Sequence, residues 1–158
     1  MRGTPVSNRR RVPGPPTLGE LVQLDRLDDR SPGEWMALLP DGTEVVLADI
    51  AGIPSPRGVE KAVAIVQSRI YLEGRARQIL LPFTTQEGTW RLVTVDFGVE
   101  AQRAECEFLM CFAFQSDDGE LSVSSPFAEV AFELHMRPGE EPVFVLTVRS
   151  TTGFTPSC

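Results

Sequence analysis

Apolar and polar residues alternate through several segments between residues 89 and 149, and this pattern constrains the fold more than any other feature of the chain. In the clearest run, every second residue from Cys106 to Phe114 is apolar, and Glu105 and Glu107 alternate with the beginning of that series. A period of two is typical of a strand with one buried face. The sequence therefore predicts antiparallel strands at residues 78–83, 90–97, 105–114, 127–136 and 143–149.

Two shorter apolar segments near the amino terminus, residues 35–39 and 44–50, flank the sequence Pro40-Asp41-Gly42-Thr43. An Asp-Gly pair between two such segments is typical of the turn of a β-hairpin. The sequence therefore predicts an amino-terminal hairpin.

After this hairpin, the spacing of apolar residues changes from two to three and four. Four residues with this spacing share one face of a helix: Val59, Val63, Val66 and Ile70. The pattern predicts one main amphipathic helix over residues 58–73, closed by Gly74. Because β-branched side chains also suit strands, an extended conformation of residues 59–72 is the alternative.

These elements predict an α+β fold with an amino-terminal β-hairpin, one main amphipathic helix and a carboxy-terminal antiparallel sheet of about five strands. If residues 59–72 are extended, they join the hairpin in a second sheet, and the fold is a β-sandwich. A chain of 158 residues suits one domain. We expect residues 1–17, which are rich in proline and arginine, to form a flexible basic arm, and residues 18–158 to form a single globular domain.

The chain is acidic overall, with a net charge of −7, although four of its 15 basic residues lie within the first eleven positions. An acidic body repels phosphate backbones, which argues against nucleic acid as a partner except through Arg9, Arg10 and Arg11. No signal-peptide core follows these arginines. The longest strongly apolar run, residues 108–114, is too short to cross a bilayer as a helix. We therefore expect a soluble, cytoplasmic protein with no membrane partner.

Carboxylates are plentiful, with 22 Asp and Glu residues, but nothing in their spacing selects a pair for catalysis or metal binding. His135 is the only histidine, and no paired-ligand spacing accompanies it. Cys106 and Cys111 are five positions apart and would face opposite sides of one strand, so they can neither form a disulfide nor share a metal ion there. The sequence also has no glycine-rich phosphate loop. It predicts no catalytic residue, no metal site and no cofactor.

Leu109, Cys111 and Ala113 interrupt the acidic side of the strand predicted at residues 105–114 and form a small apolar island there. Such an island is a candidate contact for a partner. Because reactive groups are scarce, we expect a non-enzymatic protein-interaction or assembly module. It would bind a protein partner or form a homo-oligomer through its sheet.

A small-molecule-binding domain is the main alternative to this function. Its apolar pocket would lie between the helix and the sheet and would be lined by Phe108, Met110, Phe112 and Phe132. An uncharacterised enzyme is the third and least favoured alternative. Catalytic groups from distant positions can converge in ways that sequence spacing does not show.

Overall fold

One mixed sheet and three helices make up the part of the chain that the computed structural model describes, namely residues 9–26, 28, 30–83, 88–116 and 126–152. The strands are β1 (Arg11–Val12), β2 (Leu21–Gln23), β3 (Glu34–Leu38), β4 (Glu44–Ile50), β5 (Ile53–Pro54), β6 (Gly88–Phe97), β7 (Phe108–Ser116), β8 (Phe127–His135) and β9 (Val143–Thr152). The helices are α1 (Pro56–Gln67), α2 (Arg69–Leu80) and α3 (Val99–Arg103), and a 3-10 turn at Leu81–Phe83 follows α2. Helices and a largely antiparallel sheet confirm the predicted α+β class. In these ranges no helix combines the length and the apolarity needed to cross a bilayer.

Strands β1, β2, β3, β4, β6, β7, β8 and β9 lie side by side in that order, and the short β5 pairs with β4. Neighbouring strands are antiparallel except β4 and β6, which run parallel because α1 and α2 form the crossover between them. The predicted amino-terminal hairpin is present as β3 and β4. The predicted sheet of about five strands is too small, because the hairpin joins the same sheet as β6 to β9.

The single helix predicted over residues 58–73 is wrong, because α1 and α2 are separate helices that meet at Ser68. The Ser68 N–H bonds to the carbonyl of Ile65 and ends α1. This break rotates the next turn, so that Ile70, predicted on the buried face, is 86% exposed. Gly74 lies inside α2 rather than closing a helix.

Residues 78–83 form the end of α2 and the 3-10 turn, and the strand predicted there is wrong. Short apolar runs suit either a helix or a strand, and here the helical hydrogen bonding that begins at Arg69 continues through them. The β-sandwich alternative also fails, since residues 59–72 are helical apart from Ser68.

Both long helices pack on one face of the sheet, which we call the helical face. Leu47 of β4 lies against Gly58 of α1, and Arg77 of α2 lies over the ring of Phe112 on β7. The largest fully buried side chains of this face are Trp35, Val45, Leu47, Val95, Phe108, Met110, Phe112, Val130 and Phe132. Burying one such side chain is worth roughly 1.5–3 kcal/mol before conformational entropy, so this layer is the core of the fold. We call the opposite side of the sheet the open face.

A chain of ion pairs holds α2 on the sheet although a carboxylate lies in the middle of its inward side. Glu73, whose side chain is 10% exposed, pairs with Arg69 Nε at 2.8 Å and with Arg77 Nη2 at 2.9 Å. Arg69 also binds Asp41 in the hairpin turn. The N–H of Thr43 and the Arg69 guanidinium lower the pKa of Asp41 to about 2. The hairpin turn is thereby joined to α2.

The arginine-rich segment contacts the folded body from residue 9 onward. Arg9 forms an ion pair with Asp25, the Arg10 guanidinium lies over the Trp35 ring, and β1 pairs with β2. Residues 1–8 lie outside the described residues. The division into a flexible arm at residues 1–17 and a domain at residues 18–158 stays a prediction.

Candidate functional site

The open face of the sheet carries the three residues predicted to contact a partner. Leu109 is fully buried, whereas Cys111 and Ala113 are half-buried. Helix α3 packs against β6 and β7 at this end of the sheet, and the carboxylate of Glu34 accepts a hydrogen bond from the N–H of Val99 at the start of α3. The chain's own atoms therefore cover much of the apolar island. Its role as a partner contact stays a prediction.

Acidic side chains surround Cys111 on the open face. Burial raises the pKa of its thiol to about 12, and the negative charges of Glu129 and Asp96 add to this effect. Asp96 is itself 8% exposed. Burial, together with the nearby Glu34, raises the pKa of Asp96 to about 6, although the N–H of Gly98 donates to it at 2.7 Å. Within the described ranges, no group of three or more His, Cys, Asp or Glu side chains could hold a metal ion.

Cys106 and His135 have different neighbours, since the Cys106 thiol donates to the carbonyl oxygens of Ala101 and Phe108. Cys106 lies in the turn before β7, not on the predicted strand, because Glu105 has a left-handed φ of 54° and the strand begins only at Phe108. Burial raises the pKa of the Cys106 thiol, which keeps it protonated at neutral pH. His135 is exposed at the end of β8 and lies 3.4 Å from the carboxylate of Glu133.

Strand β9 forms one outer edge of the sheet and is ten residues long. Among the described residues it pairs with β8 alone, whereas the opposite edge is formed by β1, which has two residues. A strand in this position presents a row of backbone donors and acceptors to another strand.

The hydrogen-bond register determines which residues of β9 turn their backbone groups outward. The N–H of Phe114 donates to the carbonyl oxygen of Pro126, which lies opposite it in the pairing of β7 with β8. Because hydrogen-bonded pairs alternate along an antiparallel ladder, the backbone groups of even-numbered β8 residues bond to β7. Those of odd-numbered β8 residues bond to β9. The partners of those odd-numbered residues on β9 are Val143, Val145 and Thr147. The N–H and C=O groups of Phe144, Leu146 and Val148 therefore point away from the sheet.

The first six residues of β9 carry none of the features that usually block an exposed edge. Residues 143–148 contain no proline and no charge, and their pairing with β8 is regular. The register shift lies further along, and Arg149 beside it is 3.4 Å from the carboxylate of Glu129. Val143 and Val145 are 58% and 39% exposed on the open-face side. Natural edges usually carry lysine, proline or a bulge, so this edge is suited to pairing with another strand.

Helix α2 lies beside the β9 edge on the helical face. Arg75 of α2 donates from Nη2 to the carbonyl of Phe144 at 3.0 Å, so one of the outward acceptors already has a donor. Two large apolar side chains in the first turn of the same helix are exposed: Ile70 at 86% and Tyr71 at 68%. Exposed apolar side chains therefore occur both on the edge strand and on the helix that contacts it.

The four residues predicted to line an apolar pocket all lie on the helical face, and all are enclosed in the core, Phe108 included at 1% exposure. Met110, Phe112 and Phe132 are 0%, 1% and 0% exposed. Phe108 packs on Phe132 with 4.4 Å between ring centroids, and these rings fill the space in which a ligand would sit. One side of Phe108 nevertheless lines a groove between α1 and the sheet. A ligand contact at this residue stays a prediction.

This groove, which we call the α1 groove, has two lobes that share Lys61, Phe97 and Glu107. The apolar lobe has a volume of about 220 Å³ and is also lined by Ala64, Ile65, Phe108, Leu134 and Phe144. The polar lobe has a volume of about 180 Å³ and is also lined by Ala48, Ile50, Ser55, Arg57, Gly58, Ala101, Gln102 and Cys106. Lys61 Nζ lies 2.5 Å from Glu107 Oε2 and joins α1 to the turn before β7. Sequence spacing gave no signal for this pair, because 46 positions separate its members.

No protein-family model, curated protein or solved structure matches this chain. The β9 edge and the α1 groove are the surfaces whose geometry indicates a function.

Proposed function

We propose that this protein is a non-enzymatic assembly module that forms a homodimer by pairing β9 with β9 of a second copy. The observation that supports this most directly is the length of the outer strand and the outward direction of its backbone groups at three alternate residues: Phe144, Leu146 and Val148. Adding a strand to such an edge satisfies its unpaired backbone groups and extends the sheet.

An antiparallel pair of β9 strands has a register that suits both its hydrogen bonds and its side chains. A two-fold axis at Leu146 places Leu146 opposite itself and Phe144 opposite Val148, so all the outward-facing backbone groups meet as hydrogen-bonded pairs. On the helical face, this pairing brings only apolar side chains together. On the open face, Val145 meets Thr147 of the second copy.

Charge favours this contact over others. The chain has a net charge of −7, so two copies repel each other through most of their surfaces. Residues 143–148 are uncharged, and the cationic Arg149 would lie opposite Val143 of the second copy rather than opposite another charge. No like charges face each other directly in this register, which removes a term that would oppose pairing.

The test introduces like charges that face each other across the two-fold axis. In the double variant Val145→Lys/Thr147→Lys, each new lysine lies opposite a lysine of the second copy, while both positions remain exposed within one copy. We expect the wild-type protein to sediment as a dimer and this variant to sediment as a monomer. The matched control is Leu38→Lys/Val93→Lys, which adds the same charge at exposed positions on β3 and β6 and should leave the dimer intact.

A complementary variant tests whether positions 145 and 147 meet across the interface. Val145→Glu/Thr147→Glu should also be monomeric alone, and an equimolar mixture with the lysine variant should restore a dimer that contains one copy of each. A wild-type protein that stays monomeric at millimolar concentration would overturn self-association. So would a lysine variant that dimerises as well as its control.

A further inference from the structure

We propose a second property: the α1 groove binds small apolar anions, that is, molecules with a single carboxylate or sulfonate and an aromatic or medium-length alkyl body. The apolar lobe would take the body, and the polar lobe would take the anionic group. Lys61, which lines both lobes, would contact the ligand where its two parts join.

The apolar lobe provides a surface for a hydrocarbon body. Phe97 and Phe108 stack with 5.4 Å between ring centroids, and Phe144 meets Phe108 edge-on at 5.5 Å. These three rings line the lobe together with Ala64 and Ile65 of α1. Ligand clefts usually have volumes of about 300–1,000 Å³, more than either lobe offers alone. A ligand that fills the groove therefore spans both lobes and passes the Lys61–Glu107 ion pair.

The charges of the polar lobe favour an anion over a cation. Arg57 and Lys61 lie one turn apart on α1, and among the described residues that line this lobe Glu107 alone opposes them. The first turn of α1 contains Arg57 and no acidic residue, although acidic side chains are the favourable ones at a helix amino terminus. This cationic lobe occurs in a chain whose net charge is −7. A cation at a position that favours acidic residues departs from local preference, and such departures are expected at functional positions.

The Lys61–Glu107 pair can exchange partners at low cost. The side chains of Lys61 and Glu107 are 36% and 33% exposed, and ion pairs with this much access to water contribute little to stability. An incoming carboxylate can therefore replace Glu107 beside the Lys61 ammonium while Glu107 turns to solvent. Glu107 is then a competitor of the ligand, and its removal should strengthen binding.

The experiment uses four ten-carbon probes with different head groups: decanoate, decyl sulfonate, decanol and decylammonium. Each is kept below its micelle concentration or, for decanol, below its solubility limit. Binding to the full chain is measured by titration calorimetry and by the shifts of backbone amide resonances. We expect decanoate and decyl sulfonate to bind with one site per chain and to shift the resonances of residues 57–65 and 107–108. Decanol should bind roughly tenfold more weakly, because it lacks the charge-assisted contact, and decylammonium should bind more weakly still.

Three variants and one control separate this site from nonspecific adsorption. Lys61→Gln should weaken decanoate binding by roughly tenfold and leave decanol binding unchanged, whereas Glu107→Gln should strengthen decanoate binding. Ala64→Phe should fill the apolar lobe and weaken both probes. Arg137→Gln removes a cation from an exposed loop and should change neither.

The opposite effects of the Lys61 and Glu107 variants are the deciding result. The proposal is overturned if the two substitutions change decanoate affinity in the same direction, if decanol binds as tightly as decanoate, or if no probe binds saturably. Phe144 lines the apolar lobe and also belongs to β9, so the titrations are repeated with the Val145→Lys/Thr147→Lys variant, whose substitutions lie on the open face. Decanoate should bind this variant saturably as well, and loss of binding there would overturn a site formed within one copy.

Discussion

Arg75 on α2 donates a hydrogen bond from Nη2 to the carbonyl oxygen of Phe144, 3.0 Å away, and so occupies an acceptor that β9 turns away from its sheet. The same oxygen would accept from the N–H of Val148 of a second copy in the β9 pairing proposed above. Arg75 therefore competes with the second strand at two symmetry-related positions. Arg75 thus makes β9 less available for pairing with another strand, while the other outward donors and acceptors of β9 stay in place.

Substitution of Arg75 by alanine should strengthen dimerisation. The variant frees the Phe144 carbonyl in both copies, and each freed acceptor can bond to the second strand. Sedimentation equilibrium should give a dissociation constant several-fold lower than that of the wild-type protein. The control is Arg103→Ala, which removes an exposed arginine from α3 on the other side of the sheet and should leave the constant unchanged. A dimer weakened by Arg75→Ala would contradict the competition.

Amide exchange along β9 should alternate with the parity of the residue number. The N–H groups of Val145 and Thr147 bond to β8 and should exchange slowly, whereas those of Leu146 and Val148 point outward and should exchange fast in dilute protein. At concentrations that favour the dimer, Leu146 and Val148 should become protected as well. Hydrogen exchange followed by NMR measures both states. Uniform protection of β9 in the monomer would show that the outward groups already have partners.

Glu73 should be one of the most sensitive polar positions of the fold. Its side chain is 10% exposed and pairs with both Arg69 and Arg77. Glu73→Ala leaves two partly buried guanidinium groups without their shared carboxylate, and we expect the free energy of unfolding to fall by roughly 3 kcal/mol. Urea unfolding measures this change.

The matched control for Glu73 is Glu60→Ala on the exposed side of α1. This change should alter the free energy of unfolding by less than about 0.5 kcal/mol. Equal effects of the two substitutions would mean that the ion-pair chain does not hold α2 on the sheet.

The sequence was sufficient to predict the strands whose two faces differ. In β6, β7, β8 and β9 one face is core and the other is partly polar, so the period of two is visible directly in the sequence. The break between α1 and α2 was not visible, because Val66 and Ile70 keep helical spacing across Ser68. The sequence pattern also did not identify the buried side of α2. The central residue of that side is the ion-paired Glu73, and the last residues of the helix form a short apolar run that suits a strand equally well.

The candidate sites depend on topology, which periodicity does not encode. The alternating pattern identifies β9 as a strand, but only the strand order places it at an edge. Lys61 and Glu107 meet because the crossover through α1 places that helix over the ends of β6 and β7. The one local signal was Arg57 in the first turn of α1, a cation where an acidic residue is usual.

Asp96 should make the protein less stable as the pH rises from about 4 to 6. Burial and the nearby Glu34 raise its pKa from the ordinary value of 3.8 to about 6 in the folded state. Between these two values the unfolded chain loses the proton while the folded chain keeps it, so rising pH favours unfolding; above about 6 the penalty is constant.

Asp96→Asn keeps an oxygen that accepts from the N–H of Gly98 and removes the charge. The variant should be more stable than the wild-type protein at pH 7.5, by at most roughly 2–3 kcal/mol, and this advantage should disappear at pH 4. Urea unfolding of both proteins at the two pH values measures the difference, and Asp25→Asn on the exposed surface serves as the control. Parallel pH profiles for Asp96→Asn and the wild-type protein would show that the folded state does not raise the pKa of this carboxyl.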